Sequence, residues 1–224
     1  MKLFAGGRVY ISTMKKIVLL LLLAVAPRAF SDEPAATIVA RVQKYYDATK
    51  SLKAKFDQEL QSPTTGTKKA SGEVLLKKPG KMRWDYVTPE KKLMVSDGAT
   101  LWVYEPDDEQ AVKQDLKGST LPAQVSFLVG EGKLAQEFDA STTKLDGLPA
   151  DTLALKMVPK TGTAAYRYLI FVVDGKSGQV KQTIIYDQQG GTNKLSFSDV
   201  QQNKSIDDGK FKFSPPAGTQ IIKP

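Results

Sequence analysis

The chain has 224 residues, a formal net charge of +8, 41% hydrophobic residues, no cysteine and no histidine. Without an imidazole or a thiol, Ser-His-Asp and Cys-His nucleophilic systems are excluded, and zinc sites lose their usual ligands. Carboxylate-pair chemistry, hard-cation binding and a non-catalytic role remain.

Met14-Lys15-Lys16 opens a basic segment, Ile17 to Ala26 is an almost unbroken apolar run, and Ala29-Phe30-Ser31 sets small residues at the exit. This order describes a secretory signal peptide cleaved after Ser31, and the run is too short to span a bilayer. Residues 1–31 are therefore expected to be an N-terminal extension and leader, and 32–224 one mature domain. The leader holds Lys2, Arg8, Lys15, Lys16 and Arg28 and no acid, so its removal lowers the net charge from +8 to +3. No dense basic stripe is left for phosphates, which argues against nucleic acid. The absence of cysteine also implies that the protein is not itself a lipoprotein, since there is no cysteine for a lipid to modify.

Asp32 to Leu52 reads as an amphipathic helix, with Ile38, Val39, Val42, Tyr45, Tyr46 and Leu52 at three-four spacing and Pro34 near its start. Arg41, Lys44, Asp47 and Lys50 fall on its other side. The period then changes to two: Ala54, Phe56, Gln58 and Leu60 alternate with Lys53, Lys55, Asp57 and Glu59. Further strands are expected over Gly72–Lys77, Lys81–Val87, Lys92–Ser96, Thr100–Tyr104 and Gln110–Gln114, with a tight turn at Asp97-Gly98. A short helix is expected over Pro122–Val129. Strands return over Phe138–Thr142, Thr152–Val158, Tyr166–Val173, Gln179–Asp187 and Lys194–Val200. About eleven short, closely spaced strands with two helices favour an α+β fold: one long antiparallel sheet with the helices on one side.

Such a sheet has more inner face than two helices can cover, so strong curvature would leave an apolar hollow. Met82, Trp84 and Tyr86 share one face of their strand, a large and deformable surface. Phe56, Leu60, Val74, Leu76, Leu93, Val95, Leu101, Val103, Leu155, Met157 and Ile170 are the further candidates for its wall. Asp107-Asp108-Glu109 and Asp207-Asp208-Gly209 read as solvated turns, because no spaced ligand pattern accompanies them. Lys77, Lys78 and Lys81 around Pro79-Gly80 read as another.

The stretch Leu76-Lys77-Lys78-Pro79-Gly80-Lys81-Met82-Arg83-Trp84-Asp85-Tyr86, then Pro89, Val95-Ser96-Asp97-Gly98 and Leu101-Trp102-Val103-Tyr104-Glu105-Pro106, resembles the LolA family of outer-membrane lipoprotein carriers. Phe56-Asp57-Gln58, Gly72 and Phe211 to Gly218 extend the resemblance over nearly all of the mature chain. It implies an unclosed antiparallel β-barrel whose helices form a lid over an apolar, lipid-binding cavity. It implies a monomeric periplasmic carrier that takes acylated lipoproteins from an inner-membrane ABC transporter to the outer membrane, where a LolB-type receptor would accept them. It implies no cofactor, no metal and no covalent chemistry. By the same resemblance Lys78 stands where an arginine pins the lid, Met82 at a cavity rim associated with transporter docking, and Trp84 in the cavity wall. A carrier of free lipid or glycolipid on this scaffold is the alternative; a two-carboxylate envelope hydrolase would need facing acids that the apolar strand faces lack.

Overall fold

The computed structural model describes residues 33–116, 132–163 and 165–223. The expected leader and the expected Pro122–Val129 helix lie outside the described residues. Helix α1 spans Ala35–Asp47, and a single turn, α2, spans Leu134–Glu137. The strands are β1 Ser51–Ser62, β2 Gly66–Lys77, β3 Lys81–Thr88, β4 Lys92–Asp97, β5 Thr100–Glu105 and β6 Gln110–Asp115. They continue as β7 Phe138–Thr143, β8 Thr152–Pro159, β9 Tyr168–Asp174, β10 Val180–Tyr186, β11 Thr192–Gln202 and β12 Gln220–Ile222.

All twelve form one sheet in the order β12-β6-β5-β4-β3-β2-β1-β11-β10-β9-β8-β7. Consecutive strands pair antiparallel on both wings, and β11 returns to β1 to join the wings. The terminal strands β12 and β7 do not pair, so the sheet curves without closing. β12 had no sequence signal: it has three residues and pairs parallel to β6. The amphipathic stretch is also divided. α1 ends at Asp47, and Leu52 belongs to β1, paired with Leu76 on one side and Gln202 on the other. Two flanking ladders hold Leu52 more firmly than another helical turn could.

The core is the space between α1 and the concave face. Ile38, Val39, Val42 and Tyr46, the inward stripe of α1, are all buried. They share one apolar cluster with Phe56 of β1, Val74 of β2, Trp84 of β3, Leu155 of β8, Phe171 of β9 and Leu195 of β11. A single helix meets strands so far apart in the sheet only because the sheet wraps around it. The convex face has its own cover. A 3-10 turn, Asp208–Phe211, lies against β3 and β4 with Phe211 buried. Asp208 takes Lys77 at 2.7 Å and Lys81 at 3.1 Å, and Arg83 donates to the Lys210 carbonyl at 3.1 Å while it pairs with Asp85. The lysine cluster expected to be a solvated turn therefore pins the C-terminal segment.

Gly72 permits the aromatic packing of the concave face. Its strand lies between Phe56 and Tyr86, whose rings meet edge to face with centroids 4.9 Å apart. A Cβ at Gly72 would fall 1.9 Å from the Asp85 carbonyl oxygen and 2.9 Å from the Phe56 ring. Neither neighbour can move without disturbing the β2–β3 ladder. Gly72→Ala is therefore expected to destabilise the fold by about 1–3 kcal/mol, the usual range for overpacking. That corresponds to a fall of roughly 3–10 °C in Tm by circular dichroism; an unchanged Tm would show that the two strands separate freely.

Candidate functional site

Side chains opposite one another across neighbouring strands share a face, so the register decides which wall candidates line the concave side. Phe56 stands opposite Gly72 and Phe197, Val74 opposite Trp84, and Leu76 between Leu52 and Met82. Trp84 pairs with Met94 and Met94 with Val103; Met82 pairs with Ser96 and Ser96 with Leu101. On the other wing Leu155 pairs with Phe171 and Met157 with Leu169. Phe56, Leu60, Val74, Leu76, Met82, Trp84, Tyr86, Leu101, Val103, Leu155 and Met157 thus share the concave face.

Leu93, Val95 and Ile170 do not. Leu93 pairs with Asp85 and Tyr104, and Val95 with Arg83 and Trp102, all on the convex face. There Phe213 packs on Trp102 and Tyr104, with centroids at 5.7 and 5.3 Å. Ile170 lies on the convex face between Lys156 and Ile184. The apolar runs Leu93-Met94-Val95 and Leu169 to Val173 have no alternation to assign their faces. The inner positions of β4 belong instead to Met94, partly buried against the core, and to Ser96, which is fully buried.

The concave face is closed in this structure. Phe56 lies edge-on to Trp84 at 5.0 Å, and Trp84 reaches Phe197 at 6.2 Å. Under α1 the space bounded by Tyr46, Leu52, Leu76, Val180 and Phe197 is about 10 Å³, room for about one water. An acyl chain can enter here only if α1 moves. Past the helix the face opens: about 180 Å³ lies beside Tyr86, Gln58 and Leu60, and about 250 Å³ between Leu60 and Ile185. Leu60, 40% exposed, is common to both openings. Met82 is 3% exposed against this closed core.

The polar contacts of α1 concentrate at its C-terminal end, where four carbonyls lack helical partners. Lys78 Nζ donates to the Tyr46 carbonyl and, at 3.4 Å, to that of Asp47. Thr49 Oγ1 and Gln202 Nε2 donate to the Tyr45 carbonyl, and Asn203 Nδ2 to that of Ala48. The ammonium also meets the negative end of the helix dipole. Burial lowers the Lys78 pKa by more than the Asp47 carboxylate raises it, and Lys133 lowers it further. Stripping water from the charge therefore works against the attraction.

A second fastening lies farther along the helix, and sequence reading assigned its residue to the solvent side. Arg41 Nη1 donates to the Gly175 carbonyl at 2.8 Å in the β9–β10 turn, and Nη2 pairs with Glu33. Asp174 fixes that turn by accepting from the Ser177 N–H at 2.8 Å, from Ser177 Oγ at 2.7 Å and from Lys181 at 3.1 Å. Burial raises the Asp174 pKa, but these donors outweigh it and hold the carboxyl well below its ordinary range. Among the described residues no group of three His, Cys, Asp or Glu could hold a metal, and no helix is long and apolar enough to cross a membrane.

Comparison with known proteins bears on this arrangement. The family model for LolA, outer membrane lipoprotein carrier protein, matches residues 47–214. The chain is 31% identical over 214 residues to an outer-membrane lipoprotein carrier protein of Pseudomonas entomophila, covering 94% of this chain and 100% of the relative. It is 27% identical over 195 residues to one from Methylococcus capsulatus, covering 87% and 91%. Among solved structures, an uncharacterized conserved protein from Thermus thermophilus aligns with a TM-score of 0.54 at 14% identity, over 85% of this chain and 99% of that one. This last likeness concerns the fold alone.

Two outcomes are expected of variants here. Lys78→Leu removes one weak, partly exposed fastening, so Tm should stay within about 4 °C of wild type. Its release of bound lipoprotein to acceptor membranes should slow, because the helix recloses less readily over the emptied face; release at the wild-type rate would remove Lys78 from that role. For Asp174 the folded pKa lies below the unfolded one, so its stabilisation is full above about pH 4 and is lost as pH falls through the interval below. Urea midpoints of wild type and Asp174→Asn should differ most at pH 7 and converge toward pH 2. A gap that does not change with pH would show the carboxylate to be irrelevant.

Proposed function

The chain belongs to the LolA family of outer membrane lipoprotein carrier proteins, and on that footing we propose that it is a periplasmic carrier holding the acyl chains of lipoproteins on its concave face. The observation that carries this reading is the continuous apolar wall from Leu101 through Trp84 and Phe56 to Met157, covered by α1, whose polar fastenings sit at separate points. Acyl chains require area and deformability rather than directed hydrogen bonds, and a wall of Met, Trp, Phe and Leu supplies both.

Magnitudes favour a covered site over an open groove. Full burial of one sixteen-carbon chain contributes about 12 kcal/mol at roughly 0.8 kcal/mol per methylene. That alone corresponds to about nanomolar affinity, and two such chains would pass the ceiling of non-covalent binding. A carrier must release its load, so part of this free energy has to be offset. Separating α1 from the wall uncovers Ile38, Val39, Val42 and Tyr46 on one side and Phe56 and Trp84 on the other, which supplies that offset. The net affinity is the difference between cargo burial and helix burial.

In this reading the leader 1–31 is removed on export and the mature protein works as a monomer without cofactor or covalent chemistry. It receives cargo from an inner-membrane lipoprotein-releasing ABC transporter and passes it to the outer membrane, to a LolB-type receptor where one is present. The test is transfer. Proteoliposomes containing the active cognate transporter and a labelled outer-membrane lipoprotein are incubated with the mature protein, and the soluble fraction is examined for a one-to-one complex. Soluble complex is expected. Its absence, with co-purified lipid in organic extracts of the protein, would replace lipoprotein with free lipid as the cargo.

A further inference from the structure

We propose that Thr183, Asn193 and Gln58 form a polar strip on the concave face whose donors hydrogen-bond the ester carbonyls of an acylated glycerol. The site rests on the carrier reading and adds a chemical class to it. Among the described residues the buried polar side chains are Thr49, Ser51, Ser96 and Thr183. Thr49 Oγ1 donates to the Tyr45 carbonyl at 2.8 Å, Ser51 Oγ donates to that of Lys204 at 2.6 Å, and Ser96 Oγ accepts from the Gly98 N–H at 3.1 Å. Thr183 is 2% exposed, and nothing among the described residues bonds its hydroxyl. The ladders set it opposite Phe171 of β9 and Leu195 of β11, both in the apolar cluster of the concave face. A buried hydroxyl without a partner is rare and costly. Valine has nearly the same shape and suits a buried strand better. A threonine at this place is accounted for by a partner that arrives with the cargo.

The hydroxyl has polar neighbours on the same face. Leu195 lies between Thr183 and Gln58, and Asn193, two residues along β11, lies between Ile185 and Leu60. Gln58 Nε2 donates to Asn193 Oδ1 at 3.0 Å. That bond leaves the Asn193 amino group and the second Nε2–H of Gln58 to donate elsewhere. Both amides are half-buried and stand where the face opens past α1. Gln58 borders the space of about 180 Å³ and Asn193 that of about 250 Å³. The charged residues around these spaces include Lys68 and Lys92 but also Glu90 and Asp187, so no single ionic headgroup is favoured there. The strip itself offers neutral donors between apolar side chains. That set fits a group with acceptors, no charge and hydrocarbon on either side, which describes an ester carbonyl. Phe56, the next inward residue of β1 after Gln58, begins the wall along which the chains would run.

Dioctanoylglycerol and its ether analogue dioctylglycerol test the site, since they share their chains and differ in the carbonyls. Trp84, in the wall beside Phe56, reports their binding by fluorescence titration. The mature protein is expected to bind the ester about tenfold more tightly than the ether, the contribution of one or two net hydrogen bonds. Thr183→Val should lower that ratio about threefold and should melt no lower than wild type, because it removes an unpaired buried hydroxyl. Asn193→Ala should lower the ratio as well, and it carries the test if Thr183→Val folds poorly. Equal affinity for ester and ether, or a ratio unchanged in the folded variants, would overturn the proposal while leaving the carrier reading in place. Uptake of neither lipid would overturn both. Where the ester is preferred, the transfer assay assigns its source. A soluble lipoprotein complex that dioctanoylglycerol disperses makes the esters those of the lipoprotein, and ester preference without such a complex makes them those of free glycerolipid.

Discussion

The contact between the apolar stripe of α1 and the concave wall is the constraint on which the rest of the structure depends. The sheet curves around this helix, and its strands bury their inner side chains against it. An uncovered wall of Phe56, Trp84, Leu155 and Met157 would be an exposed apolar patch far larger than a monomer tolerates. The helix covers it when nothing else does. Its stripe of Ile38, Val39, Val42 and Tyr46 is therefore core and competitor at once: it stabilises the fold by occupying the surface that a lipid chain would need.

That dual role explains the division of labour among the polar groups. A helix held only by apolar contact could slide, because such contact has little direction. Direction comes from Lys78, Gln202 and Asn203 at one end and Arg41 at another place, all addressing backbone carbonyls. None is a deeply buried ion pair, so none leaves a stranded charge when the helix moves. The convex face is fastened in the opposite manner, by the bidentate Arg83–Asp85 pair, the double lysine grip on Asp208 and the buried Phe211. One face of the same sheet is fastened firmly and the other lightly.

Much of this was legible in the chain, for reasons that differ by element. β1 declared its inner face because Lys53, Lys55, Asp57 and Glu59 mark the other one. β3 did the same through Arg83 and Asp85. Where a strand is apolar on both sides, as in Leu93 to Val95 and Leu169 to Val173, periodicity carries no sign, and Leu93, Val95 and Ile170 were assigned to the wrong face. Leu52 continues the helical spacing of α1 by coincidence with the β1 alternation, so spacing alone does not mark the helix end at Asp47. The charge of Lys78 alone suggests a solvated turn, and its carbonyl partners on α1 lie more than 30 residues away. Arg41 gave no local signal, since its partner is a carbonyl 134 residues away. Such contacts become visible only when the wings of the sheet are brought together.

A carrier whose empty state is a closed core has a consequence for how sequence controls affinity. If cargo binds the concave wall, as proposed, substitutions on the wall alter cargo binding and helix binding together, and the two effects partly cancel. Enlarging the stripe on α1 strengthens only the competitor, and weakening its polar fastenings relieves only the competitor. On the proposed reading, affinity is thus adjusted more sharply from α1 than from the concave wall. The contact of Lys78 with the carbonyls at the end of α1 bears on that balance. A point charge on a flexible stem holds a helix end less rigidly than a planar fork would, and it acts on the helix without changing the wall.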